Sequence, residues 1–308
     1  MKMVIFGGSG FIGRALTEYW LSLGHEVMVV TRGGARGNRW LQEAAISEAS
    51  FTSVTWEELE GKPLLLEGVS TVVNLAGATL NQRWSKRAKQ RILESRLEST
   101  RAVARAVERM NQKPEVVVQG SAVGIYGTSL TDAFKESSAV PTPPVDFLSE
   151  VTSAWEKTAD REFRGVRLIK LRTGVVLGQG GGAYPLMRLP YQLGIGGSIG
   201  SGKQWVPWIH IQDMVRLIDY CTARPEIRGP VNAVSPQPVT NLDFGRTICR
   251  VHHRPFWLPL PAPVLRTALG EMSLLLLEGQ KVIPQAVLDA GFTFAFPDLE
   301  SAVADLKA

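Results

Sequence analysis

Cysteine is nearly missing from this chain. Cys221 and Cys249 are the only two in 308 residues, which excludes a disulfide-built scaffold and any all-cysteine metal centre. Histidine is scarce too: His25, His210, His252 and His253 stand in no ligand spacing that a metal site uses, and no metal is expected. No apolar run approaches the ~18 residues of a membrane helix; Leu274–Leu277 is the densest stretch and far too short. The amino terminus runs Met1-Lys2-Met3-Val4-Ile5-Phe6 straight into glycine, which reads as a buried strand and not as a signal peptide. With 44% hydrophobic and 20% charged residues the chain is too apolar to be disordered. Its length suits one large α/β domain or two smaller ones, with a core that needs no covalent staple. These absences leave a cytoplasmic, metal-free enzyme or binding protein with no membrane attachment.

The 34 basic and 29 acidic residues give a net charge of +5, and that excess is concentrated. Between Gln82 and Arg109 stand Arg83, Lys86, Arg87, Lys89, Arg91, Arg96, Arg101, Arg105 and Arg109 against Glu94, Glu98 and Glu108, so nine minus three puts +6 in this segment. A solvated helix face explains the run, and so does attraction of a phosphate-rich small ligand. No aromatic interleaving accompanies the charges, and nucleic acid is not expected as a partner.

Apolar runs alternate with helical patterns from the first residue. Strands are expected at Met3–Phe6, Glu26–Thr31, Thr71–Ala76, Val116–Ser121, Val166–Thr173 and Val231–Val234. Helices are expected at Phe11–Leu23, closed by Gly24, from about Ser85 to Met110 before Pro114, and at Phe147–Phe163, Asp213–Cys221 and Asn241–Val251. The β-α-β order implies right-handed crossovers and a parallel sheet covered on both faces. Glycine-rich loops follow at Gly178–Gly182 and Gly194–Gly202, and a proline-punctuated tail from Pro255 reads as a mostly helical appendage. The expected architecture is α/β: a Rossmann-type doubly wound parallel sheet in residues 1–175, then a smaller, mostly helical substrate-side region in 176–308 with an appendage at about 252–300.

Gly7, Gly10 and Gly13 form a G-x-x-G-x-x-G that follows a strand directly and opens a helix. That context turns three glycines into a dinucleotide-binding turn. The first permits the tight bend, the second lets backbone approach a pyrophosphate, and the third lets helix pack on strand. Unpaired amides at the helix start then face the phosphates. The second strand ends in Thr31-Arg32, with Arg36 and Arg39 close behind, where an NAD enzyme would carry a ribose-binding carboxylate. With no acid to repel a 2′-phosphate and Arg32 available to pair with it, NADP(H) is expected over NAD(H).

Asn74-Leu75-Ala76-Gly77, Ser121 followed by Tyr126-Gly127, and Trp208-Ile209-His210-Ile211-Gln212-Asp213 add to the glycine spacing. Together they resemble an extended short-chain dehydrogenase/reductase. The stretches at 74–84, 95–100, 171–182, 193–205 and 276–285 are similar to an atypical subgroup, the epimerase family proteins and their bacterial YfcH-type relatives. The resemblance covers essentially the whole chain, tail included. It implies that Gly7, Gly10, Phe11 and Ile12 hold the pyrophosphate and that Thr31 and Arg32 hold the adenosine end. Leu75, Ala76 and Gly77 would pass under adenine and ribose, and Val176 would lie by the nicotinamide carboxamide. Thr100 matches a threonine of the family's helix and puts Arg96 where extended members carry an asparagine. An arginine there would meet the cofactor or an anionic substrate, joined by Arg91 from the neighbouring turn; a salt bridge with Glu94 or Glu98 is the competing reading.

The family's chemistry normally needs a Tyr with a Lys four residues on, plus a Ser. The lysine makes the phenol a proton donor and acceptor while hydride moves at the nicotinamide. The residues four places after the five tyrosines are Leu23, Leu130, Arg188, Ile195 and Arg224, so the pair is absent. Phe147 and Val151, or Leu148 and Thr152, stand near its places. Ser121, Tyr126 and Glu150 are the remaining catalytic candidates, while His210 reads as a structural residue in a buried segment. Two functions stay open: an NADP(H)-dependent oxidoreductase or nucleotide-sugar-epimerase-like enzyme acting on a small molecule, and a cofactor-binding sensor or scaffold without turnover. A monomer or homodimer is expected in either case.

Overall fold

The structure is a computed structural model that describes residues 1–33 and 50–307. Seven strands form one parallel sheet: β1 (Lys2–Phe6), β2 (Glu26–Thr31), β3 (Phe51–Thr55), β4 (Val69–Asn74), β5 (Val116–Ala122), β6 (Leu168–Thr173) and β7 (Gly229–Ala233). Their spatial order is β7-β6-β5-β4-β1-β2-β3, so the winding reverses beside β1. This is the Rossmann-type doubly wound sheet that the apolar runs predict, and a crevice at the carboxyl ends of β1 and β4 follows from the reversal.

Side chains alternate across each strand and divide the interior in two. Met3, Ile5, Val27 and Val29 face one layer, where Leu16 and Trp20 of α1 (Phe11–Ser22) meet Met214, Leu217 and Ile218. Val4, Phe6, Met28 and Val30 face the other, against Val103 and Val107 of α2 (Lys86–Glu108) and Ala159 of α3 (Phe147–Glu162). Helix starts are fixed by side chains where the sequence offers them. The Ser85 hydroxyl accepts from the Ala88 amide, and Asp146 and Ser149 form a reciprocal box at α3.

Beyond residue 175 the helices are α4 (Tyr184–Gln192), α5 (Ile211–Thr222) and α6 (Asn241–Val251), followed by short pieces including Leu299–Asp305. β7 pairs in parallel with β6, and α5 contributes to the layer that holds α1. The tail is clasped by Asp213, fully buried, whose carboxylate accepts from the Ala295 and Phe296 amides and from Arg216. Leu299, Ala302 and Val303 pack with Phe244 and Ile248 of α6. Among the described residues no helix is long and apolar enough to cross a membrane.

β3 and α4 have no counterpart in the sequence expectations. β3 is a half-exposed edge strand of mixed polarity, Phe51-Thr52-Ser53-Val54-Thr55, and shows no apolar run. α4 carries Pro185 and Pro190, residues that argue against a helix everywhere but its first turn. β4 spans 69–74 where 71–76 was expected, because Leu75 and Ala76 already belong to the loop at the carboxyl edge.

Candidate functional site

Gly7 leaves β1 with φ of +83°, and a Cβ there would stand 2.9 Å from the Ala76 nitrogen. The bend therefore needs glycine for its conformation and for its closeness to the loop after β4. A Cβ on Gly13 would meet the Gly7 carbonyl oxygen at 2.6 Å, so the third glycine is what seats α1 against the turn. α1 has no side-chain cap: Gly10 precedes it, and the amides of Phe11, Ile12 and Gly13 have no partner among the described residues. Three free N–H groups on a helix dipole form an anion receptor at the crevice.

The rest of the rim comes from neighbouring strand ends. The Thr31 hydroxyl, at the end of β2, is buried and without a partner among the described residues, and Arg32 beside it is exposed. Arg36 and Arg39 lie outside the described residues. Leu75 and Ala76 are half-buried on opposite faces of the sheet, and Gly77 is exposed. Val176, on a short strand paired with Ile209, is buried in the first layer. Its carbonyl oxygen lies 3.2 Å from where Gly182 would carry a Cβ. The ring of Phe11 meets the glycine loop: Cβ atoms at Gly178, Gly181 and Gly182 would lie 2.5, 3.1 and 3.0 Å from it. The second glycine-rich segment is thus packed onto the start of α1.

Arg96 of α2 lies along Gly77 and over the Trp155 ring, 5.1 Å from its centroid. Its Nη1 donates to the carbonyls of Ala78 and Ile92 at 3.1 and 3.0 Å. Burial lowers its pKa to about 10. Neither Glu94 nor Glu98 pairs with it, so the salt-bridge reading is corrected; Glu94 accepts from Gln90 instead. Arg91 is exposed and donates to Gln82.

Ser121 and Tyr126 belong to one buried network. The Ser121 hydroxyl donates to Glu156 Oε1 at 2.7 Å, and Arg172 grips Glu156 through Nε and Nη2 at 2.8 and 2.9 Å. Arg172 Nη1 donates to the Tyr126 hydroxyl, which donates to Asn232 of β7. Burial works to raise the Glu156 carboxyl, but the Arg172 guanidinium and the Ser121 hydroxyl outweigh it and hold the group below its ordinary value. Tyr126 is pushed up by burial, so it stays a protonated corner residue with both roles of its hydroxyl taken. Glu150 is exposed in the first turn of α3 and favours the helix dipole there. Glu156 is the carboxylate that reaches Ser121.

At the places of the absent Tyr and Lys, Phe147, Leu148 and Val151 join Trp84, Ile92 and Met272 in an apolar cluster. Thr152 spends its hydroxyl on the Leu148 carbonyl. Lys89 closes the cluster over the Phe147 ring and pairs with Glu271 of the tail. His210 caps α5, its Nδ1 accepting from the Gln212 amide, and burial lowers its pKa.

Glu156 and Arg172 are the polar pair that sequence reasoning missed. The available signal was Lys170 and Arg172 inside Leu168-Ile169-Lys170-Leu171-Arg172-Thr173, because charges in an otherwise buried strand need a partner.

Residues 3–233 match the model of the NAD dependent epimerase/dehydratase family, and residues 260–306 match a domain of unknown function (DUF1731). The chain is 41% identical over 316 residues to epimerase family protein YfhF of Bacillus subtilis, covering 100% of this chain and 98% of that one. It is 37% identical over 312 residues to the human epimerase family protein SDR39U1, with both chains covered in full. The crystal structure of human SDR39U1 isoform 2 with NADPH superposes with a TM-score of 0.89 at 36% identity, covering 99% of each chain. A nucleoside-diphosphate sugar epimerase from Corynebacterium glutamicum matches with a TM-score of 0.75 at 29% identity, over 99% of this chain and 58% of that one. With that match over most of its length, its glycine turn and its sheet order, the chain belongs to the NAD dependent epimerase/dehydratase family, as an atypical short-chain dehydrogenase/reductase of the epimerase-family-protein kind.

Proposed function

We propose that this chain binds NADP(H) across the carboxyl edge of its sheet and acts as an oxidoreductase or nucleotide-sugar-epimerase-like enzyme on a small molecule, without a Tyr-x-x-x-Lys pair. The observation that carries the reading is the glycine turn, whose three free amides stand where the strand order reverses. Gly7, Gly10, Phe11, Ile12 and Gly13 would take the diphosphate, and Thr31 and Arg32 the adenosine ribose and its 2′-phosphate. Leu75, Ala76 and Gly77 would line the path between them, with Arg91 at its outer rim, and Val176 the nicotinamide side. The partnerless Thr31 hydroxyl suits a ribose oxygen. The NADPH in the crystal structure of human SDR39U1 supports the choice of cofactor. When bound, the cofactor supplies hydride exchange. Ser121 commits its proton to Glu156 and so meets a ligand as a hydrogen-bond acceptor. The buried thiols of Cys221 and Cys249, which form no disulfide, agree with a cytoplasmic setting.

Titration calorimetry tests the reading. NADPH is expected to bind at least tenfold more tightly than NADH, and Arg32→Ala to remove most of that preference, about 1.4 kcal/mol. Equal affinity for the two dinucleotides, or an unchanged Arg32→Ala variant, sinks the NADP(H) assignment.

The second reading, a sensor or scaffold without turnover, is favoured by the apolar cluster of Phe147, Leu148 and Val151 at the place of the proton-handling pair. General acid–base help worth about 10²–10⁴ in rate is missing there unless another group supplies it. A screen following NADPH absorbance separates the two. Turnover of any carbonyl compound or sugar nucleotide supports the enzyme, and tight NADPH binding without turnover supports the sensor.

A further inference from the structure

α4 carries apolar side chains on both of its faces. Tyr184 and Tyr191 are buried on the inner one, while Leu186 and Leu189 lie on the outer one, about half exposed. Leu193, one turn beyond Leu189, is 65% exposed. The same exposed surface continues onto the tail. The Trp257 indole donates to the Gly194 carbonyl at 2.9 Å, and the Trp257 and Leu258 amides both donate to the Gly196 carbonyl. Those bonds zip the two segments together, so Ile195, Trp257 and Leu258 adjoin the three leucines. Trp257 is 63% exposed. Six large apolar side chains open to water side by side go beyond the scattered exposure of an ordinary monomer.

The charges around this surface are of one sign. The chain has no Asp or Glu between Glu162 and Asp213, nor between Asp243 and Glu271, and these two stretches supply all six apolar residues. Arg188 stands within α4. Arg254 directly precedes Pro255, whose ring lies 3.9 Å from where Gly194 would carry a Cβ. Arg188 Nη1 donates to the Leu306 carbonyl, next to the exposed Lys307. Burial, and then the charges of Lys307, Arg188, Arg254 and His253, hold the His252 imidazole below its ordinary value, so these cations gather about one point. Arg250 pairs with Glu300, whereas Arg188, Arg254 and Lys307 form no ion pair among the described residues.

We propose that this face docks the protein on an anionic phospholipid surface, its leucines, Ile195 and Trp257 entering the headgroup boundary and its cations meeting the lipid phosphates. The pairing of an apolar ridge that includes tryptophan with a basic margin is that of an interfacial membrane contact. Charge selects this occupant over a second copy of the chain. A twofold contact through the same face sets one acid-free surface against another and leaves the cations unanswered. The expectation of no membrane attachment rests on the lack of a spanning segment, and a surface contact needs none. The inference goes beyond the cofactor reading and does not depend on it.

The test sediments the whole protein with vesicles of phosphatidylcholine alone and of phosphatidylcholine and phosphatidylserine in equal parts. Wild type is expected to bind the mixed vesicles at least tenfold more tightly than the neutral ones, and to leave them at high salt. Arg254→Gln with Lys307→Gln removes two cations, each worth about fivefold near such a surface, and should weaken binding tenfold or more. Leu193→Ser with Ile195→Ser should weaken it as much with every charge in place. Arg105→Gln with Arg109→Gln, at the far end of the basic helix α2, should stay within about threefold of wild type. Far-UV circular dichroism and a thermal melt establish that each variant is folded, and the charge pair and the apolar pair each test the face without the other. Wild type that binds neither vesicle, or both alike, overturns the proposal. So does binding that survives both variants of the face, and so does binding lost in the α2 variant alone, which assigns the attraction to that helix. Sedimentation velocity completes the test: a dimer that Leu193→Ser with Ile195→Ser dissociates, in a protein indifferent to vesicles, gives the face to a second copy and overturns the lipid assignment.

Discussion

Replacing Arg172 by Met puts the buried network to its sharpest test. The substitution keeps much of the side-chain volume and removes both bonds to Glu156 together with the one to Tyr126. Glu156 is then left with the Ser121 hydroxyl and with Lys170, whose Nζ stands 3.5 Å from Oε2. Removing one partner of a buried ion pair costs about 3–5 kcal/mol, and the surviving contacts place this case near the lower end. The sign of the pH dependence follows from the carboxyl. In the wild type Glu156 is held below its ordinary value, so its contribution is complete above the unfolded-state pKa and is lost as pH falls through the lowered folded value. In Arg172→Met burial is opposed only by the Ser121 hydroxyl and Lys170, so the folded pKa rises from that lowered value. That destabilisation grows as pH rises through the carboxylate range and shrinks toward acid. Urea unfolding at pH 7.5 and pH 5.0, followed by tryptophan fluorescence, should show a loss of about 3 kcal/mol at the higher pH and clearly less at the lower. The double variant Glu156→Gln with Arg172→Met should regain part of the loss. A deficit below about 1 kcal/mol, or one of equal size at both pH values, refutes the account of Glu156 as a carboxylate kept ionised by Arg172.

Gly13→Ala sets a methyl 2.6 Å from the Gly7 carbonyl oxygen, so α1 must lift from the turn; calorimetry should show NADPH affinity down tenfold or more in a protein that still folds. Asp213→Asn loses one acceptor oxygen among the groups that hold the Ala295 and Phe296 amides. It should cost about 1–3 kcal/mol and hasten limited proteolysis of the tail, and an unchanged cleavage rate counts against the clasp. His210 has its pKa lowered by burial, so its stabilising share is present above the unfolded value near 6.5 and lost as pH falls below it. In His210→Gln the decline in stability between about pH 6.5 and 5 should be shallower than in the wild type, read from the same urea series.

Much of the sheet was legible because its strands are apolar on both faces and glycine punctuates the first turn. β3 was not, since an edge strand with Thr52, Ser53 and Thr55 presents neither an apolar run nor clean alternation. The glycine turn could be read in detail because its chemistry lies in backbone and in seven consecutive residues. The polar side of the site could not. Ser121, Glu156 and Arg172 come from β5, α3 and β6, and only the pleat of the sheet brings them within hydrogen-bonding distance. Glu150 drew attention by its nearness to the missing tyrosine, whereas Glu156 lies almost two turns further on. There the helix faces the strands, and burial, invisible in the sequence, decides between them.

The lateness of β7 in the chain has a consequence for biosynthesis. While the polypeptide emerges from the ribosome, β1 through β6 can assemble first, and the outer margin of β6 then exposes unsatisfied backbone until Gly229–Ala233 arrives. At 5–20 residues per second that interval lasts roughly 3–11 s, long enough for a bare β margin to recruit another nascent chain. A fragment cut short before β7 carries that hazard permanently, which makes the final strand a guard against aggregation as much as a part of the scaffold.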